Sequence, residues 1–554
     1  MKKKLLALSV LAAVSSQVNA FQFDTGDDWE IRWDTTFKGN IMSRVEKQSD
    51  QVVTPSCAYK GCGWFLADDG DLSVDRSGGG LVSTRLDILT ELDVVFKRDF
   101  GFRVSAAGWY DPMYGDDSDH PEDRIRTWGQ PSVSPGEYND EAEKWHYLGA
   151  EVLDAFVFAN FNIGDVFANV RAGRHTIYWG NSLLAVGAIN GFGGSMAPLD
   201  FNKGLAVPGS EAKELFLPTG KVSTVIQLTD NLTLNAYYNW EHRRYRLPES
   251  GTYWAPITGL TAGSEFTVFP PPVSAANGYD PAAFIPTQAF RPGYRGHRDE
   301  DDAGDWGVNF QYYFENLGLE TSFIYINYVD KNLHGVNAGA NHNLFFPLVL
   351  GGLPEQPFYE SPAGWDDGAK IIGHGYWTFK NDIDLWGISL AKEIAGISVG
   401  LDVVYRGDTG LAQGLTPALS RVYNAEGFED FYRSIGFTPI PTLPGKDGFE
   451  SLFSADSDNF VGPVGDTWSV VVNGLGLLTD NGFWEGGSWI LEATFSMLDS
   501  CNENCYQMDP RIKEDRVISN VAAVFRPTWY QVFPGTDLTI PMSVNYQVDG
   551  EKSP

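Results

Sequence analysis

Residues 29–38 read Trp-Glu-Ile-Arg-Trp-Asp-Thr-Thr-Phe-Lys. Trp29, Ile31, Trp33, Thr35 and Phe37 fall on one face, and Glu30, Arg32, Asp34, Thr36 and Lys38 on the other. Strict period two is the mark of a strand with one apolar and one polar face. A soluble sheet shows this once or twice. Here it returns at 86–96, 102–108, 153–161, 166–172, 222–228, 232–240, 306–314, 317–329, 380–393, 396–406, 467–478, 486–497, 517–525 and 538–546. That gives fifteen segments of roughly ten residues, the length a tilted strand needs to cross a bilayer. No stretch of comparable strength reads as an amphipathic helix.

Short turns near 97–101, 163–165, 229–231, 315–318 and 393–395 alternate with long connections at 41–83, 111–149, 176–219, 241–304, 330–379 and 407–466. Short turns on one side and long loops on the other are the layout of an outer-membrane barrel. The loops of a soluble propeller would not alternate this regularly. No run approaches the roughly 18 apolar residues of a transmembrane helix. The mean hydropathy of -0.21 suits a barrel, because only alternate residues meet lipid. The formal charge of -32 has the wrong sign for nucleic acid.

Lys2–Lys4, the apolar run 5–14 and Val18-Asn19-Ala20 form a secretory signal, expected to be cleaved after residue 20. The expected domains are therefore a signal peptide, 1–20, and one barrel, 21–554. With a periplasmic N-terminus, a fifteenth strand runs outward, and a closed bacterial barrel needs an even number. The expectation is a chain truncated at its C-terminus, with about sixteen strands in the complete barrel.

The inward phase carries the candidate lumen residues: Arg32, Asp34, Arg85, Asp87, Glu91, Asp93, Arg103, Asp154 and Arg171, with the aromatics Trp109, Phe156, Phe158 and Tyr237. Opposed acidic and basic walls select solutes by charge, and aromatics offer a surface to apolar solutes. The competing reading is a self-neutralising network that closes the lumen. Segment 176–219 is Gly- and Ala-rich at 183–196 and apolar at Leu215-Phe216-Leu217, too apolar for an exposed loop. It is expected either to fold into the barrel as a constriction or to cover the rim.

Cys57 with Cys62, and Cys501 with Cys505, are the preferred disulfides of a secreted chain with four cysteines. Asp68, Asp69, Asp71 and Asp75 are weak calcium candidates, since alternate carboxylates can hold Ca²⁺ without here completing a calcium-loop pattern. Further acidic clusters lie at 116–123 and 299–305. No metalloprotease, nucleophile-elbow or phosphate-loop motif is present. No catalytic residues and no cofactor are expected.

Phe21-Gln22-Phe23-Asp24-Thr25-Gly26, Arg32-Trp33-Asp34-Thr35-Thr36, Asp68-Asp69-Gly70-Asp71, and 85–88 through 91–93 resemble a family of proteobacterial outer-membrane proteins. So do Gly173-Arg174-His175, Trp179-Gly180-Asn181-Ser182, Gly187-Ala188-Ile189-Asn190, Pro208 to Glu214 and Leu228 to Leu232. The family is catalogued as a domain of unknown function, DUF1302. It departs here at 191–194, where family members tend to continue with an Asn-Pro step, and it continues beyond residue 554 to an aromatic closing strand. The resemblance implies an outer-membrane β-barrel, with members often encoded near exporters.

The sequence thus reads as an all-β transmembrane antiparallel barrel with long extracellular loops. The expected role is a channel or transport component for small hydrophobic or aromatic molecules. The alternative is a surface scaffold or assembly protein with a closed lumen, acting with a periplasmic or lipid-anchored partner. Outer-membrane lipid, lipopolysaccharide and an exporter system are the other expected partners.

Overall fold

The computed structural model describes residues 28–45, 80–115, 140–207, 212–249, 304–332, 370–412, 462–505 and 515–550, with short pieces at 12–15, 21–23, 65–66, 252–255, 267–268, 290–297 and 335–340 and a few single positions. Sixteen strands build the wall: β1 Trp29–Ser43, β2 Leu81–Phe96, β3 Phe100–Tyr110, β4 Leu148–Ile163, β5 Val166–His175, β6 Thr219–Gln227, β7 Leu232–Asn239, β8 Trp306–Phe314, β9 Leu319–Tyr328, β10 Ile383–Ile394, β11 Ile397–Gly410, β12 Val464–Leu477, β13 Gly486–Glu503, β14 Val517–Phe533, β15 Thr536–Thr539 and β16 Met542–Asp549. Each pairs antiparallel with the next up to β14. β15 and β16 both lie along β14. They are two halves of one row, parted at Ile540–Pro541, where Pro541 has no N–H to give to the ladder.

All fifteen rows coincide with the fifteen periodic segments. Their lengths run from 8 residues in β7 to 18 in β13, so several outlast the expected ten. Short turns and long connections alternate without exception. In the turns after β2 and β10, Lys97 and Arg98, then Ala395 and Gly396, take positive φ, the conformation that a tight hairpin requires. Residues 12–15 and 21–23 pair with the outer edge of β1. No pairing joins β1 to β16 among the described residues, so the sheet is not closed there.

The outer face is apolar and open: Trp33, Phe37, Ile88, Phe102, Val157, Phe323, Trp386, Phe495 and Val544 are all exposed. A water-soluble sheet would hide them, whereas lipid accepts them. Aromatic contacts cluster at two levels. Trp29, Phe96 and Phe100 touch at 4.6 and 5.1 Å near the short turns. Tyr325 meets Trp306 at 5.1 Å and Trp386 at 4.2 Å near the long loops. Such girdles mark the two membrane interfaces.

The alternation slips between β3 and β4. Leu153 and Asp154 both stand opposite Ser105, a β-bulge between the pairs Val104–Ala155 and Ala106–Val152. The Ser105 hydroxyl accepts the Asp154 N–H at 2.9 Å. Leu153, which period two places on the apolar outer phase, is therefore buried inside with Leu89, Ala107 and Trp109. The bulge restores the phase so that Asp154, Phe156 and Phe158 share the inner face.

Cys501 and Cys505 form a disulfide at the end of β13. Cys57, Cys62, the calcium candidates Asp68, Asp69, Asp71 and Asp75, and the acidic cluster at 116–123 lie outside the described residues. Asp305 departs from the reading of a solvated acidic loop. It is 1 % exposed and paired with fully buried Lys331 at 3.0 Å.

Candidate functional site

Between β5 and β6 the chain enters the barrel. It forms four short helices: α1 Ala185–Asn190, α2 Gly193–Met196, α3 Phe201–Ala206 and α4 Ala212–Leu215. Of the two expectations, the inward fold is the one found. The segment leaves from rows five and six, yet the hydrogen bonds of 181–191 lie on β10 to β13. The backbone N–H of Asn181 donates to Asp402 on β11, at 2.9 and 3.1 Å to its two oxygens. The Asn181 amide donates to Ser389 Oγ at 2.6 Å, and its carbonyl accepts from Asn473 at 2.6 Å. Leu183 and Leu184 N–H groups donate to Glu492 on β13. Arg406 on β11 donates to the carbonyls of Ile189, Asn190 and Gly191 at 3.2, 3.0 and 2.5 Å.

Glycine makes the close approach feasible. A Cβ on Gly187 would run into the Glu492 carboxylate, and one on Gly387 of the wall would sit 2.5 Å from the Phe192 ring. Phe192 is wholly buried with Trp179, Met196, Tyr237, Ile326 and Leu385. The far end is tied to row one, where Lys38 pairs with Glu214, which also holds Lys203 at 3.3 Å. Burial opposes ionisation of Glu214, but Lys203 and Lys38 outweigh it and hold the carboxyl below its usual value. Asp200 caps α3 by accepting the Lys203 N–H at 2.8 Å and pairs with Arg246 at 2.6 Å.

The thirteen candidate lumen residues separate into three groups. Arg32, Asp93, Arg103, Phe156, Phe158 and Arg171 come together around one vestibule of 410 Å³ beside the short turns, joined by Glu30, Val95, Asn160 and Asn169. Arg103 binds Asp93 through Nε at 2.8 Å and Nη2 at 2.9 Å, and lies 3.9 Å from Glu91. Asp154 is held by Ser105 next to this vestibule. Asp34 is partly buried with one enclosed oxygen that has no hydrogen bond among the described residues.

Arg85, Asp87 and Trp109 form the second group and are sealed off. Arg85 grips Asp87 through Nε and Nη2 at 3.0–3.1 Å, and both are 4 % exposed. Arg85 also donates to the Trp145 carbonyl at 3.1 Å, and Trp109 stacks on Trp145 at 5.7 Å. Trp145 lies in the helical turn Glu143–Tyr147, which covers this part of the wall. The third is Tyr237, buried under Trp179 at a ring distance of 5.3 Å.

The candidate set lacked Glu492, Arg406, Asn181 and Lys221. Glu492 and Arg406 carry the same signal as the residues it contained, a charge on the inner phase of an apolar strand. Their partner, the backbone of α1, leaves no trace in residue type.

The sequence profile of a family described as "Protein of unknown function (DUF1302)" matches residues 1–553. The chain belongs to this family. No curated protein matches this DUF1302 member. Among solved structures it is similar to the outer membrane channel DcaP of Acinetobacter baumannii, at 9 % identity and a TM-score of 0.34, over 96 % of this chain and 95 % of that one. OccAB4 of the same organism matches at 9 % identity and a TM-score of 0.34, over 95 % of each chain. OprB of Pseudomonas putida matches at 7 % and 0.33, over 94 % and 89 %. At these identities the likeness says nothing of what this DUF1302 member does. The family and the lipid-facing wall together give an outer-membrane β-barrel.

Proposed function

We propose that this protein is an outer-membrane channel or transport component for small hydrophobic or aromatic molecules. The observation that carries the reading is the placement of 181–196 inside the barrel, held by inner-face side chains of β10 to β13. An inserted segment narrows a wide barrel and makes it selective. Below it, the vestibule sets Phe156 and Phe158 among charged groups, which suits solutes with an apolar body. The protein reaches the outer membrane by a signal peptide, residues 1–20, removed on export. Its outer face meets lipid, and its long loops meet lipopolysaccharide. Exporters or a lipid-anchored periplasmic protein are partners for the short-turn end.

The sealed Arg85–Asp87 pair and the many bonds to α1 favour a second reading, a scaffold with a closed lumen. Planar-bilayer recording of the full chain separates the two. A channel gives discrete conductance steps that grow when 183–196 is replaced by a short Gly-Ser linker. Unchanged conductance in that deletion removes the constriction, and absent conductance in both forms favours the scaffold.

A further inference from the structure

Three arginines face the vestibule, and two of them are spoken for. Arg32 donates to Glu30 at 2.8 Å, and Arg103 holds Asp93 through two bonds. Arg171 has no hydrogen bond and no ion pair among the described residues. Its guanidinium stands 5.8 Å from the Phe156 ring, and Phe158 lies 6.5 Å from Phe156. A planar cation with unclaimed donors beside two aromatic rings is suited to a carboxylate that carries a ring. The fork of N–H groups takes both oxygens, and the solute ring packs against phenylalanine.

The surroundings limit the charge to one. Asp93, Glu91 and Asp154 crowd Arg103, so a second anionic group would meet carboxylates. A cationic solute would find both Glu30 and Asp93 already paired. The volume of 410 Å³ holds one small molecule, near the low end of the roughly 300–1,000 Å³ of ligand sites.

We infer that the vestibule binds small aromatic monocarboxylates, with the carboxylate on Arg171 and the ring on Phe156 and Phe158. This rests on the channel reading above and adds the chemical class of the solute. The full chain is recorded in planar bilayers with benzoate, benzamide or acetate added to both sides. Benzoate lowers the current at a concentration about tenfold below the other two, the ratio expected from one charge-assisted bond plus ring contact. Arg171→Gln abolishes the preference for benzoate over benzamide. Arg171→Lys keeps a weaker preference. Phe156→Ala weakens benzoate and leaves acetate unchanged. Equal block by benzamide and benzoate overturns the inference, as does an unaltered preference in Arg171→Gln. If the wild type does not conduct, the channel reading falls alone. Equilibrium dialysis of benzoate against the detergent-solubilised chain then decides the site. Retention by wild type and Arg171→Lys above Arg171→Gln upholds it, and equal retention overturns it.

Discussion

Glu492 and Arg406 hold opposite ends of one helix. The Glu492 carboxylate receives N–H groups at the start of α1, and the Arg406 guanidinium donates to carbonyls at its end. The charges match the helix dipole, negative at the N-terminus and positive at the C-terminus. Both charges come from the wall, on β13 and β11, and a six-residue helix that would not persist alone is kept in place.

Glu492→Gln keeps the shape of the side chain and removes its charge. Loss of the dipole interaction costs about 1 kcal/mol, about a fivefold shift toward an undocked segment. Single-channel records should show more frequent transitions to a wider state, with the wall intact by heat-modified gel mobility. Records identical to wild type would contradict the clamp.

Gly387→Ala places a methyl against Phe192, where the space is 2.5 Å. Overpacking of this kind costs about 1–3 kcal/mol. The expected result is faster proteolysis within 183–196, while Trp386→Phe on the lipid side of the same strand leaves that rate alone.

Arg85→Met strands Asp87 in a buried site. Breaking a buried pair costs about 3–5 kcal/mol, whereas replacing both partners with apolar residues is near neutral. The thermal midpoint should therefore drop in Arg85→Met and recover in the Arg85→Met/Asp87→Leu double variant. Equal midpoints in the single variant and wild type would show that the pair is solvated.

His146 supplies a dependence on pH. It is 1 % exposed in the helical turn over Trp109, and its ring lies 4.7 Å from Tyr114. Burial, with Arg85 nearby, lowers its pKa from 6.5 to about 3. The unfolded turn thus takes up the proton first. Its stability is full above pH 6.5 and is lost as the pH falls from 6.5 toward 3. Hydrogen exchange across 140–147 should quicken between pH 7 and 5, after correction for intrinsic rates, and His146→Phe should flatten that trend.

The rows of the wall were legible because lipid on one side and the lumen on the other force period two on each strand. The inward phase of Arg32, Arg103, Phe156 and Arg171 was legible for the same reason, but their meeting around one vestibule depends on strand register, since Arg85, Asp87 and Trp109 share that phase and lie elsewhere. Leu153 was not, because its turn inward depends on a Ser105 hydroxyl that only pairing brings opposite. The sealing of Arg85 and Asp87 depends on Trp145 in a long connection without periodicity. The docking of α1 joins residues more than two hundred positions apart through backbone groups, which residue type does not encode.

Segment 176–217 begins and ends on neighbouring rows yet is bonded to row one through Lys38 and to distant strands through Asp402, Arg406 and Glu492. It is a brace across the ring as well as a narrowing of it. A wall that is squeezed out of round by its bilayer must shift this brace, so the seating of the segment and the roundness of the wall form a single mechanical variable.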